Sequence, residues 1–250
     1  MVLTYEFTNM VDDFKRIIIL PVFNEEKHLE DLLDGLTGRI DVFIVINDGS
    51  VDSSEEEIFK WAKDKDNFYY LKSASNNGMA RALKRGLSQV MKLLEEGHIN
   101  RDDIIITMDA DGQHNPDYID DMVRYMQFNK LDVLLAKRDL SNYPCYRKLG
   151  NMLLTSYVNM LTRYKYHDVE SGFRLLRASL LPEIMRYYAG YRYSNAQEIA
   201  MITAIKNYKI DNSYIIKTPY YRKGGPGFID VLINITMSTI VFLKVKFRKN

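Results

Sequence analysis

A chain of 250 residues can form one large domain or two small ones, and its 46% apolar and 27% charged content excludes a disordered, collagen-like or low-complexity polymer. With 34 Lys and Arg against 33 Asp and Glu the formal net charge is +1, which argues against a nucleic-acid binder built on a basic excess. One cysteine, Cys145, allows neither an internal disulfide nor a thiolate metal cluster and points to an intracellular chain, and residues 1–10 carry Glu6 and no long apolar run, unlike a signal peptide.

Ile17-Ile18-Ile19-Leu20 is a short continuous apolar run rich in β-branched residues, which predicts a buried strand ending at Pro21. Leu29, Leu32, Leu33 and Leu36 recur at helical spacing and predict a helix over 25–36. Residues 41–46 predict a second buried strand, stopped by Asn47-Asp48-Gly49-Ser50. Ser53 with Glu56 three residues on predicts a capping box at the next helix. A short third strand is expected over 68–71, then a long helix over 78–96 ended by Gly97. A fourth strand over 104–108 follows, then a helix with Pro116 in its first turn running to about Asn129, then a fifth strand over 131–136. Strict alternation of this kind predicts an α/β domain whose parallel sheet is covered on both faces. Its functional loops should lie at the carboxyl ends of the strands, where the polar clusters after Leu20, Ile46 and Met108 fall.

The second half reads as more helical, over 147–164, 178–188 and 194–206, with a short strand over 214–217. No internal repeat or Gly/Ser/Pro-rich linker appears, so the chain reads as one domain with a terminal appendage over 228–247. Asp230, Asn234 and Ser238 form one narrow polar stripe on that segment, and Lys244, Lys246, Arg248 and Lys249 make its end basic. Its uninterrupted apolar length falls short of the roughly 20 residues a bilayer span needs. A helix lying in a membrane surface with its basic end near anionic headgroups fits this pattern; a core helix with a solvated tail is the alternative.

Asp109-Ala110-Asp111-Gly112-Gln113-His114 directly follows the fourth strand. In an extended segment Asp109, Asp111 and Gln113 point to one side. Two carboxylates and an amide oxygen suit a hard divalent cation, Mg²⁺ or Mn²⁺, with coordination positions left open for phosphate oxygens. The alternative is an Asp-rich turn that only caps a helix.

Six segments in order resemble family 2 glycosyltransferases of the GT-A fold: Pro21-Val22-Phe23-Asn24-Glu25-Glu26; Asn47-Asp48-Gly49-Ser50; Asn76, Gly78, Ala82 and Gly86; the 109–114 cluster; Asp168-Val169-Glu170-Ser171-Gly172-Phe173-Arg174; and Arg222 with Gly225. The subgroup they are most similar to is the dolichol-phosphate mannose synthases and related polyprenyl-phosphate glycosyltransferases. The resemblance covers about residues 16–243 and implies a Rossmann-like, mostly parallel sheet with helices on both faces plus a C-terminal amphipathic helix. It divides the chain into a catalytic domain over 1–225 and a membrane-surface helix over 226–250. It implies that Pro21, Phe23, Glu25, Asp48, Asn76, Gly78, Asp109 and Ala110 hold the nucleotide sugar. Asp109, Asp111 and Gln113 would hold Mg²⁺ or Mn²⁺. Arg138, Arg147 and Arg222 would bind phosphate oxygens, for which an arginine fork is well shaped. Asp168, Ser171, Gly172 and Phe173 would line the acceptor side together with Arg147.

A phosphate monoester acceptor is already largely dianionic at neutral pH and needs cations rather than a general base. The leading expectation is therefore inverting, metal-dependent transfer from a GDP-mannose- or UDP-glucose-type donor to a dolichyl or undecaprenyl phosphate. The enzyme would sit peripherally on the cytoplasmic face of a membrane, with no nucleic acid partner. Glu198 keeps a second reading open, transfer to a hydroxyl of a cell-surface glycan or glycolipid with that carboxylate as base. A third is a non-catalytic nucleotide-sugar binding protein. A Rossmann dehydrogenase does not fit, because no Gly-x-Gly-x-x-Gly follows the first strand. The sequence departs from the subgroup at Gly225-Pro226-Gly227, which lacks the usual Ser and following Lys, and at Glu170, which adds a negative charge to the acceptor element.

Overall fold

The computed structural model describes residues 14–191, 194–220 and 228–247. Arg222, Gly225 and the basic residues after Phe247 lie outside them.

The first half follows the predicted alternation: β1 (Arg16–Val22), α1 (Glu26–Leu36), β2 (Val42–Asn47), α2 (Ser54–Ala62), β3 (Phe68–Lys72), α3 (Met79–Glu95), β4 (Ile104–Thr107), α4 (Tyr118–Phe128) and β5 (Val133–Leu135). Then come β6 (Lys137–Asp139), α5 (Cys145–Thr162), β7 (Arg174–Arg177), a 3₁₀ turn, α6 (Leu181–Tyr187), α7 (Asn195–Ile205), β8 (Ile210–Asp211), β9 (Ile215–Lys217) and α8 (Phe228–Phe247). The main sheet has the order β3-β2-β1-β4-β7-β5-β8, and β6 pairs with β9 in a small second sheet.

The sheet is mostly parallel rather than wholly so. β7 runs antiparallel to both β4 and β5, with Thr107 opposite Arg174 and Leu135 opposite Arg174 on its other side. Two local expectations also change. Ser53 makes no side-chain cap; its N–H instead donates to Glu26 Oε2 at 3.0 Å, so the two helix starts are tied to each other. Pro116 lies in the turn before α4, where its carbonyl accepts from the Ile119 N–H at 2.9 Å.

Side chains alternate across β1. Ile17 and Ile19 join α3, α6 and α7 in one core, while Ile18 and Leu20 join α1, α2 and α4 in the other. Each core is sealed by a helix with one apolar stripe, such as Leu29, Leu32, Leu33 and Leu36 on α1. α7 is different: every residue from Asn195 to Thr203 is buried, so it is a central helix with no solvent face.

α8 packs on α7, α5 and α6 rather than standing apart. Its polar stripe turns inward. Asn234 and Ser238 are each 1% exposed, on the same face as buried Val241 and Val245, while Ile240, Leu243 and Phe247 are exposed. The side chain of Asp230 lies outside the described residues. Among the described residues no helix is long and apolar enough to cross a membrane.

α3 approaches the sheet closely at Gly86, where an added Cβ would lie 2.3 Å from Ile19 Cγ2 and 3.0 Å from Ile46 Cδ1. Ile19 is stiff at χ1, sits in the middle of β1 and has no room to retreat. Alanine at an unconstrained helix position would gain about 1 kcal/mol over glycine. Gly86→Ala is instead expected to lose about 1–3 kcal/mol through overpacking. Urea unfolding measures this, and a stabilised variant would refute the close approach.

Candidate active site

The carboxyl ends of β1, β2 and β4 open into one pocket of about 470 Å³. Pro21, Phe23 and Glu25 follow β1, Asp48 follows β2, and Asp109, Ala110, Asp111 and Gln113 follow β4. Asn76 and Gly78, at the start of α3, close the same wall. Every nucleotide-side and metal-side residue expected from the sequence therefore lines one cavity.

Asp48 organises one side. Its Oδ2 accepts from the N–H groups of Asn77 (2.9 Å) and Gly78 (2.8 Å). Its Oδ1 is buried without a partner, an acceptor available to a ligand N–H or hydroxyl. Phe23 is 40% exposed and presents an apolar face at the rim.

The carboxylates on the other side are crowded. Burial, reinforced by the charges of Asp111, Asp52 and Asp109, pushes Glu25 up to about 7. Burial and then the Asp109 charge push Asp111 up to about 6. No group of three His, Cys, Asp or Glu side chains among the described residues forms a complete metal cage. Asp109, Asp111 and Gln113 line the same pocket, and two carboxylates with an amide oxygen would make an open, incomplete set. It fits a hard cation that completes its shell with phosphate oxygens. Such a cation would also relieve the repulsion that raises these two groups.

The loop that carries Asp109 is fixed from below. Buried His114 accepts the Asp109 N–H on Nδ1 at 3.2 Å and packs on Phe173. Burial holds its imidazole below the usual range and so neutral, as that acceptor role requires. The antiparallel pairing of β7 with β4 brings Gly172 against Asp109, and the Thr107 hydroxyl donates to the Gly172 carbonyl at 2.8 Å. A Cβ on Gly172 would lie 2.3 Å from Asp109 Oδ2.

The acceptor-side expectations divide along the loop leading into β7. Glu170, Gly172 and Arg174 line the pocket. Ser171 and Phe173 are buried and absent from its lining. Asp168 is also displaced from its expected role. Fully buried, it holds Arg138 through Nε at 2.8 Å and Nη2 at 2.9 Å and accepts the Arg138 N–H at 3.1 Å. Burial alone would raise the Asp168 carboxyl, but Arg138 holds it below its ordinary value. Arg138 lines the pocket with only Nη1 left for a ligand, so it is a half-neutralised cation. Arg147 lines the pocket as expected.

Glu198 is corrected too. It does not line the pocket; its carboxylate accepts from the N–H groups of Ala189 (2.6 Å) and Gly190 (3.1 Å) and from the Ser194 hydroxyl. It braces the loop before α7 and is not placed to act as a base. Arg222 lies outside the described residues.

Several lining residues were not singled out from sequence. Arg174 is 1% exposed, donates from Nε to the Ser171 carbonyl at 2.7 Å, and leaves Nη1 unpartnered in the field of Asp109. Asn195 and Gln197 enter from the first turn of α7, and the Gln197 Oε1 is buried and unpartnered. Their signal was polar residues opening an otherwise apolar helix. Asn151, with its amide oriented to donate, reaches Glu170 Oε2 at 3.2 Å and Asp168 Oδ1 at 3.0 Å.

Gly172→Ala is expected to push the Asp109 carboxylate off its position without unfolding the chain, because the clash is with a side-chain end at a loop. Mn²⁺ affinity, measured by titration calorimetry, should fall about 10- to 100-fold. Unchanged affinity would show that Asp109 does not depend on this packing.

Comparison with known proteins shows the family and the fold. A protein of Methanocaldococcus jannaschii with no assigned function is 30% identical over 80% of this chain and 86% of its own length. The UDP-N-acetylglucosamine–dolichyl-phosphate N-acetylglucosaminyltransferase of Methanococcus voltae is 28% identical over 81% of this chain and 85% of its own. The undecaprenyl-phosphate 4-deoxy-4-formamido-L-arabinose transferase of Pectobacterium atrosepticum is 26% identical over 71% of this chain and 53% of its own, so the match spans about half of that longer protein. Among solved structures, glucosyl-3-phosphoglycerate synthase from Mycobacterium tuberculosis, in complex with Mn²⁺, UDP and glucosyl-3-phosphoglycerate, superposes with a TM-score of 0.63 at 17% identity, over 93% of this chain and 79% of that one. That likeness gives the fold, GT-A. The family model for glycosyl transferase family 2 matches residues 17–185. The chain belongs to glycosyl transferase family 2 and is a glycosyltransferase.

Proposed function

We propose that this enzyme transfers a sugar from a nucleoside diphosphate sugar to a polyprenyl phosphate at a membrane surface, with a divalent cation held by Asp109, Asp111 and Gln113. The observation that carries the acceptor is the continuity of the pocket with an exposed apolar face. Arg147 and Asn151 on α5 line the pocket, while Leu149, Met152, Leu153 and Met160 of the same helix are exposed. α8 packs beside α5, where the Tyr157 and Thr239 hydroxyls are 2.5 Å apart, and adds exposed Ile240, Leu243 and Phe247. Lys244 and Lys246 close the same helix with positive charge. An apolar band with a basic end suits the interface of an anionic membrane. A lipid phosphate entering from that band would meet Arg147 and the free edge of Arg138.

The donor assignment rests on the other wall. Asp48 Oδ1 suits a base N–H, Phe23 suits a base face, and the two β4 carboxylates would hold a cation that would balance diphosphate charge. The relative from Methanococcus voltae and the Mycobacterium tuberculosis structure, by their names, favour uridine diphosphate over guanosine diphosphate. The bound cation would supply stabilisation for charge on the leaving diphosphate. Inversion is part of the same proposal.

One observation favours a hydroxyl acceptor as the second reading. Glu170 lines the pocket and burial raises its carboxyl above the usual range, as a general base requires. The deciding assay supplies Mn²⁺, a polyprenyl phosphate in detergent and labelled UDP- and GDP-sugars, followed by organic extraction. The proposal predicts label in the organic phase. Its absence, with Mn²⁺-dependent nucleotide binding retained, would overturn the lipid-phosphate acceptor.

The raised carboxyls also predict a pH dependence. In the metal-free protein Glu25 and Asp111 bind protons more tightly folded than unfolded, so they weaken the fold as pH rises from the ordinary carboxylate range through about 6 and about 7. Mn²⁺ competes with those protons. It should raise the melting temperature more at about pH 8 than at about pH 5. Asp111→Asn should abolish the Mn²⁺ effect at both, and an equal Mn²⁺ shift in wild type at both pH values would contradict the site.

A further inference from the structure

A second cleft, open and about 650 Å³ in volume, lies behind the donor wall, between the end of β3, the first half of α3 and the loop at 189–190. Lys72, Arg81, Lys84 and Arg85 line it, with Ser73 and Asn77 between them, and no carboxylate is in its lining. Such a concentration is unlike the rest of a chain whose net charge is +1.

The partners of these cations decide what the cleft can do. Lys72 is paired with Glu55 at 2.5 Å. The other three hold neutral groups. Lys84 Nζ donates to the Ala189 carbonyl at 3.3 Å. Arg85 donates to the Ser73 hydroxyl and to the Lys72 carbonyl at 2.9 Å. The Arg81 guanidinium lies 5.9 Å from the centre of the Tyr191 ring. Glu198 lies within electrostatic reach of Lys84 and partly compensates it, while its oxygens accept from the Ala189 and Gly190 N–H groups and the Ser194 hydroxyl. Carbonyl, hydroxyl and ring orient a cation without neutralising it. Arg81 and Arg85, with no carboxylate in the cleft lining, and the partly compensated Lys84 surround hydroxyl and amide groups and match the oxygens of a phosphate group.

We propose that this cleft is a second anion site, separate from the transfer pocket, that takes a phosphate group carried by a soluble anion or by a lipid head. The two sites share a wall. Asn77 faces the cleft, while its neighbours Asn76 and Gly78 line the donor pocket, and Asp48 holds the segment between them. The assignment does not depend on which acceptor the transfer reaction uses.

The test compares the full chain with R81Q/K84Q/R85Q, which removes charge but keeps hydrogen-bond donors, and with a control of equal charge loss on other exposed surfaces, K27Q/K63Q/K130Q. Each is dialysed against labelled inorganic phosphate and floated with phosphatidylcholine vesicles, with and without about one-third phosphatidylglycerol. The cleft variant should bind one of the two probes about tenfold more weakly or worse, while the control binds as wild type. Loss with free phosphate assigns a soluble ligand, and loss confined to the anionic vesicles assigns a lipid head. Retention of both probes by the cleft variant, or an equal loss in the control, would overturn the site.

Discussion

Asp109 and Asp111 leave the end of β4 beside Glu25 from the end of β1, and partial burial raises Glu25 and Asp111, each in the field of its acidic neighbours. Much of the surrounding structure holds this unfavourable arrangement in place. His114 grips the backbone of Asp109 from below, and Gly172 admits its carboxylate from the side. Arg174, buried and half unpartnered, lends it a compensating field. A carboxylate cluster kept together against its own repulsion suits a cation, the role proposed for it.

The position of β7 makes that arrangement possible. An all-parallel sheet would send the 168–174 segment away from the end of β4. The antiparallel pairing of Arg174 with Thr107 instead carries Glu170, Gly172 and Arg174 across the pocket. The same segment carries Asp168 under Arg138, so the cation that meets the pocket is held rigidly by a buried bidentate pair. Removing one member of such a pair typically costs about 3–5 kcal/mol, so the pair is as much a structural element as a binding one.

The first five strands were legible because each central one is a continuous apolar run, and such runs have few other fates in a soluble chain. β7 was not. Its sequence, Arg174-Leu175-Leu176-Arg177, places two charges around two leucines, and burial of Arg174 depends on tertiary partners that no local pattern records. β6 and β8 are too short and too polar to announce themselves. The grouping of the residues proposed to hold donor and metal was legible because the loops after β1, β2 and β4 must meet at one edge of the sheet. The acceptor residues were only half so. The 109–113 segment turns at Gly112, whose φ is +75°, rather than extending, yet Asp109, Asp111 and Gln113 still reach the lining, while Ser171 and Phe173 of the 170–174 segment turn inward. α8 shows the limit of reading amphipathicity from one helix. A polar stripe of Asn234 and Ser238 looks solvent-facing in isolation, yet it is buried against the domain and leaves apolar residues outside.

The account stands on a divalent cation occupying the space between the β4 carboxylates and a nucleotide diphosphate. The most direct test is an anomalous-difference map at the manganese edge from crystals of the full chain grown with Mn²⁺ and UDP. The account predicts a peak within coordination distance of Asp111 and a UDP phosphate oxygen, with the base against Phe23 and Asp48. A bound UDP with no manganese peak at those carboxylates, or manganese bound elsewhere, would contradict it.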